Sequence, residues 1–170
     1  MKFDIWETGI GINEVVSVAS NHDIPIMRSG IVAIREHFDP KLIDDLFYKS
    51  SEVYYRTTIS GQPSTVYLRL TDNPKSLYEI EVRLFNISNK KEFIHEMINV
   101  LQQKYGAYRE RMETVFRYYE WKPDENSRIV LKGPGAEVSI IYTDIEMKRA
   151  LDAQRRQEKQ RSIHKDGSKF

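Results

Sequence analysis

Residues 90–106, KKEFIHEMINVLQQKYG, carry the pattern on which the fold turns. Phe93, Ile94, Met97, Ile98, Leu101 and Tyr105 recur every three or four positions, so a helix gathers them onto one apolar stripe. That spacing predicts a helix from Lys90 to Tyr105. Gly106 stops it, because glycine takes a positive φ without steric cost. So wide a stripe needs a second layer to cover it, and both flanks supply strands. Upstream the period is two: Tyr55, Thr57 and Ile59 alternate up to a turn at Gly61-Gln62-Pro63. Val66, Leu68 and Leu70 then face one side, with Tyr67, Arg69 and Thr71 on the other. After Asp72-Asn73-Pro74, Tyr78, Ile80, Val82 and Leu84 alternate with Glu79, Glu81 and Arg83. Such alternation predicts three antiparallel strands with one face on a core and one face largely polar.

Downstream, a polar linker leads to Val115–Trp121, a strand rich in Tyr and Trp. Asp124-Glu125-Asn126-Ser127 turns the chain, and Ile129–Leu131 and Val138–Tyr142 form a hairpin around Gly133-Pro134-Gly135. Two shorter helices are predicted nearer the start. One carries Ile12, Val15, Val16 and Ala19 on a single face and stops near Asn21. The other is capped by Asp39, with Pro40 in its first turn, Phe38 stapled to Ile43, and Leu42, Ile43, Leu46 and Phe47 as its apolar side. A brief strand, Ile31–Arg35, lies between them. The predicted class is α+β: an antiparallel sheet with helices packed on one face, in a single domain over residues 1–160. Two helix-plus-three-strand halves, 1–88 and 89–143, echo one another in order of elements. A last helix runs from Asp144 to Gln160, and residues 161–170 form a flexible basic tail.

Several function classes are narrowed by composition. The net charge of +1 is unevenly placed: from Met147 to Phe170 eight Lys/Arg outnumber three Asp/Glu, leaving the first 146 residues at −4. The chain has no cysteine, which rules out disulfides, thiolate metal sites and a cysteine nucleophile. No run reaches the roughly 18 apolar residues of a membrane-spanning helix, and Met1–Trp6 lacks the apolar core of a signal peptide. The expected location is cytoplasmic if the chain is complete as given, and periplasmic or exported if a leader has been removed.

Trp6-Glu7-Thr8-Gly9-Ile10 leads into Ile12-Asn13-Glu14-Val15-Val16, and Leu101–Gly106, Trp121, Ile129-Val130-Leu131 and Ile141–Asp144 follow later. In this order of motifs the chain resembles small bacterial α+β proteins with a beta-lactamase-inhibitor-protein-like fold, many of them exported and of unknown function. Small outer-membrane-assembly lipoproteins share that fold. The resemblance implies a fold and a non-catalytic, partner-binding role. It carries no catalytic residue across.

Few residues suggest chemistry. His22, His37, His95 and His164 are scattered, with no pair at metal-ligand spacing. Asp44-Asp45 sit on the polar side of a helix. Glu79 and Glu81 share a sheet face at a separation of roughly 7 Å, which acid/base pairs also use. The plainer reading is a solvated charged face in which they pair with Arg69 and Arg83. No Gly-x-Ser-x-Gly is present. Gly133-Pro134-Gly135 sits inside a hairpin and lacks the lysine of a phosphate loop. Gly9 and Gly11 precede a helix as an ordinary entry turn. No catalytic residue, metal ligand or cofactor is expected.

Aromatic and basic surfaces remain. Tyr67, Arg69, Arg83 and Phe85 share a face, and Tyr with Arg is the composition that protein interfaces favour. Partner protein binding there is the first expectation. Stacking on single-stranded nucleic acid is the second, although Glu79 and Glu81 would repel phosphate. Cover by another helix of the same domain is the third. Lys148, Arg149, Arg155 and Arg156 on the last helix are the candidate phosphate contacts for a nucleic-acid binder. A hydrolase with a site assembled across the fold is the remaining alternative.

Overall fold

The structure, a computed structural model, describes residues 1–28, 31–32 and 50–167. The helix expected from Asp39, with His37 and the Asp44-Asp45 pair, lies outside the described residues, as does the strand expected up to Arg35 beyond Val32.

Alternation sets the sheet. Strands β3 (Met27–Arg28), β4 (Ile31–Val32), β5 (Glu52–Ile59), β6 (Gln62–Leu70), β7 (Leu77–Leu84), β8 (Arg109–Glu113), β9 (Phe116–Trp121), β10 (Ser127–Gly133) and β11 (Val138–Asp144) form one sheet. Their order is β4-β3-β5-β6-β7-β11-β10-β9-β8, with every pairing antiparallel. The fold is therefore α+β on an antiparallel sheet. The two halves meet at the β7/β11 seam, where Val82 faces Ile140 and Glu81 faces Ile141. Outward from that seam, β7-β6-β5 on one side mirrors β11-β10-β9 on the other. A separate two-stranded hairpin, β1 (Lys2–Phe3) with β2 (Trp6–Glu7), carries Trp6 into the core. Its indole N–H donates to the Tyr55 hydroxyl at 2.8 Å.

Because side chains alternate across a strand, one face collects Val53, Val66, Leu68, Ile80, Val82, Ile129, Leu131 and Ile140. Helix α1 (Ile12–Asn21) adds Ile12, Val15, Val16 and Ala19 to this layer, and helix α2 (Lys90–Tyr105) adds Ile94, Ile98 and Leu101. The result is one continuous core, in which each fully buried aliphatic side chain stabilises by about 1.5–3 kcal/mol. Helix α2 spans the residues its stripe predicts. Its start is fixed by Asn89, whose Oδ1 accepts from the Glu92 N–H at 3.3 Å while its Nδ2 donates to Glu92 Oε2 at 2.6 Å. This reciprocal arrangement resembles a capping box. At Gly106 the chain takes φ +81°, ψ −151°. That is a positive-φ conformation restricted to glycine, though extended in ψ, not the left-handed helical one expected. Helix α2 also lies very close to β10: a Cβ on Gly133 would come within 2.6 Å of Ile94 Cδ1. Gly133 therefore serves close packing as well as the turn.

The linker expected before Val115 is corrected by the structure. Arg109–Glu113 is strand β8, paired to β9 and exposed throughout. Four of its five residues are charged, and none is buried, so no hydrophobic alternation marks it. An edge strand needs none, and charge guards it against stray pairing. The last helix, α3 (Ile145–Gly167), runs seven residues past the end predicted at Gln160. No helix among the described residues is long and apolar enough to cross a membrane.

Candidate functional site

The face opposite the core is organised by registered rows of polar side chains. One row crosses five strands: Glu52 (β5), Arg69 (β6), Glu79 (β7), Thr143 (β11) and Arg128 (β10). Arg69 is the hub. Its Nε lies 2.8 Å from Glu52, its Nη1 2.5 Å from Glu79 and its Nη2 2.5 Å from Glu81. Glu79 Oε2 also accepts from the Thr143 hydroxyl at 3.0 Å and from Lys148 Nζ at 3.1 Å. Arg83 pairs with Glu81 at 2.9 Å, approaches Glu137 at 3.7 Å, and stacks over the Tyr67 ring at 4.4 Å.

Glu79 and Glu81 are 5% and 6% exposed. The expectation that they are solvated is thus corrected: they are buried and neutralised by the arginines beside them. Burial pushes the Glu81 carboxyl up, but hydrogen bonds from Arg83 and Arg69 outweigh it and hold its pKa below the ordinary range. Burial disfavours the Arg69 charge, and Glu81 and Glu79 reverse that and raise its pKa. The hydrogen bonds from Arg83 and Arg69 favour the charged form of Glu81, which disfavours a role for it as a proton donor.

The structure brings Tyr67, Arg69 and Arg83 together as expected. The cations, however, are engaged internally. Phe85 sits one residue beyond the end of β7, half-buried, with its N–H bonded to the Pro63 carbonyl at 3.0 Å. Part of this outer face is covered from within the chain: α3 leaves β11 and sends Lys148 onto Glu79. Arg155, one of the four candidate phosphate contacts, is also engaged, with Asp72 at 2.8 Å. Arg149 and Arg156 stay exposed, with no carboxylate partner among the described residues, although the Arg156 Nε donates to the Asp152 carbonyl at 3.1 Å.

A second candidate lies on the core side, where α2 does not reach the edge of the sheet. Ile94 and Ile98 of α2, Tyr119 of β9 and Pro134 line a groove of about 640 Å³, with Lys91, His95 and Arg117 on its rim. That volume falls in the ~300–1,000 Å³ range of ligand pockets. Beside it, Tyr108 packs its ring 5.6 Å from Tyr119 and 5.3 Å from Trp121. Met112 and Val115 project further out, 68% and 70% exposed. Sequence reading missed this site because its edge is β8, whose charged residues read as a linker. A faint signal existed in Tyr108 and Met112, two apolar residues in a supposedly polar stretch.

His95 lies on the groove rim, and His22 is exposed just past α1. Among the described residues no three His, Asp or Glu side chains cluster as a metal site would require. Compared with protein-family models, characterised proteins and solved structures, the chain matches none.

Proposed function

We propose that this protein is a non-catalytic binding domain that acts through contact with another protein. The contact surface is the groove between α2 and the β8–β9 wing. The observation that carries this reading is the mismatch between the sheet and its cover. The sheet extends to β8, whereas α2 packs over β10, so an apolar strip with a polar rim is left open beside the helix. Ile94, Ile98, Tyr119 and Tyr108 offer the aromatic and aliphatic floor in which interface anchors bury, and Lys91, His95 and Arg117 form the hydrated margin. Strand β8 is the edge of the sheet among the described residues, and its outer backbone groups are ones an extended partner segment would meet. The Tyr67/Arg83 face is the weaker surface because its charges are already neutralised.

Purification of the full chain from its source, with partners identified, tests the proposal when exposed groove positions are changed. Met112→Glu with His95→Glu is expected to abolish recovery of the partner while the thermal midpoint stays within a few degrees. Loss of the same partner on Tyr67→Ala with Phe85→Ala, and retention by the groove variant, would reject it. A partner that survives both pairs of substitutions would reject it equally.

A further inference from the structure

We propose a second binding site, for a small phosphate-bearing anion, in the cleft where α3 leaves the outer face of the sheet. It stands apart from the groove and shares no residue with it. The cleft, about 290 Å³, is lined by Lys122, Arg128, Lys148 and Arg149 against two carboxylates, Glu120 and Asp152. With Lys148 paired to Glu79 and Lys122 beside Glu120, Arg128 and Arg149 face Asp152 alone, a surplus of one positive charge.

The pairing within the cleft sharpens the point. Lys148 belongs to Glu79 at 3.1 Å, and Lys122 stands 3.7 Å from Glu120. Arg128 and Arg149 have no carboxylate among the described residues. Arg128 is the more telling. It ends the registered row Glu52–Arg69–Glu79–Thr143–Arg128, in which every other charged group is paired. Its Nε is buried with no hydrogen-bond partner. A buried guanidinium N–H without an acceptor is costly unless something supplies one. Asp152 of α3 also lines the cleft, yet it makes no ion pair with Arg128, and its backbone carbonyl accepts from Arg156.

The chemistry that satisfies this arrangement is a tetrahedral oxyanion. A planar guanidinium presents paired N–H donors matched to two oxygens of a phosphate, and Arg149 supplies a second cation from the helix side. The volume lies just under that of drug-sized ligand sites, at ~300–1,000 Å³, so the occupant is of headgroup size. Free inorganic phosphate and the phosphate of a small monoester share this chemistry.

Titration of the full chain with inorganic phosphate, and separately with glycerol 3-phosphate, tests the site against chloride at matched ionic strength. The readouts are the thermal midpoint and the Nε–H resonance of Arg128. Phosphate is expected to move both saturably, and chloride neither. Arg128→Gln should weaken binding by about tenfold or more, the scale of one lost charge-assisted contact. Arg128→Lys, which keeps the charge and loses the planar fork, should weaken it less. Arg149→Gln, at an exposed position that does not threaten folding, should weaken it measurably, and Arg156→Gln should leave it unchanged. Tighter binding of the monoester identifies an organic phosphate as the ligand; equal or weaker binding identifies the free anion. The proposal is overturned if chloride reproduces the phosphate effect, or if Arg156→Gln matches Arg149→Gln, which marks an adventitious ion only. Binding of an oligonucleotide without either small phosphate overturns it as well.

Discussion

The two halves that meet at the β7/β11 seam share a layout and differ in how completely they are finished. On the β5–β6–β7 side the outer-face charges are closed into a network around Arg69, and the sheet continues past β5 into β3 and β4. On the β11–β10–β9 side, among the described residues, the Arg128 Nε has no acceptor, β8 is the last strand of the sheet, and α2 leaves a groove beside it. Both buried side-chain donors without partners among the described residues, Trp121 Nε1 and Arg128 Nε, belong to this second side. A completed half serves stability. The other half holds the buried donors that the chain leaves unsatisfied among the described residues.

The largest effect should come from the layer common to both halves. Leu101 is 5% exposed in the single core beneath α2. Leu101→Ala is expected to cost about 2–5 kcal/mol in urea unfolding, from lost burial plus the cavity left behind. A cost below about 1 kcal/mol would mean that α2 is only loosely seated, and that the groove beside it is not a fixed feature.

The next test sets the halves directly against each other. Glu79→Ala strands Arg69 and Lys148 around a buried gap, although Arg69 keeps Glu52 and Glu81. About 1–3 kcal/mol of destabilisation is expected. Arg128→Met removes a charge that has no partner, so stability should stay level or rise by up to about 1 kcal/mol. Opposite signs sustain the contrast between a stabilising network and a site held open at a cost to stability. Matching losses for the two variants would erase it.

Titration probes the β5–β6–β7 half in a different way. Glu81 has a folded pKa below its unfolded value, so its contribution is fully present above the ordinary carboxylate range. That contribution is lost as pH falls through the folded pKa. Acid unfolding should therefore shift to lower pH for Glu81→Gln relative to its own neutral-pH stability, as followed by circular dichroism across an acid titration. Tyr55 behaves conversely. Burial, only partly offset by the hydrogen bond from Trp6, raises its pKa to about 12. Its contribution is complete below the unfolded pKa near 10 and disappears as pH climbs towards 12. Tyr55→Phe should flatten stability between those limits.

Much of this architecture is legible in the residues because burial writes a period into them. The stripe of α2 fixes its bounds to the residue, and the alternation of Val66, Leu68 and Leu70 against Tyr67 and Arg69 tells which side of β6 is buried. What the sequence hides is whatever burial does not pattern. Strand β8 is exposed at all five positions, so nothing distinguishes Arg109–Glu113 from a loop. Glu79 and Glu81 look like surface acids because a carboxylate buried by its neighbours' side chains carries the same letter as a solvated one. The groove depends on where α2 stops short across the sheet, a distance that one-dimensional periodicity does not contain. Arg128 has the same limitation: its lack of an acceptor is visible only once Thr143, and not an acid, stands opposite it.

The smallest expected effect concerns how α3 is held. Its early turns are anchored by Lys148 on buried Glu79 and by Leu151, which is 3% exposed. One turn further on, Arg155 reaches Asp72 with both partners partly exposed to solvent. The Arg155 hydrogen bond draws the Asp72 carboxyl below its usual range, yet exposed pairs of this kind contribute only about 0.2–1 kcal/mol. Arg155→Ala should therefore lower stability by less than about 1 kcal/mol in low salt. The difference should vanish near 1 M salt, where the screening length falls to about 3 Å. Lys148→Ala should keep most of its cost in the same salt, because Glu79 is buried. If both variants respond to salt alike, α3 is held by surface charge alone, and the phosphate cleft at its base has no fixed wall. If only Arg155→Ala responds, the first turns of α3 are a rigid side of that cleft and the rest of the helix is free to project from it.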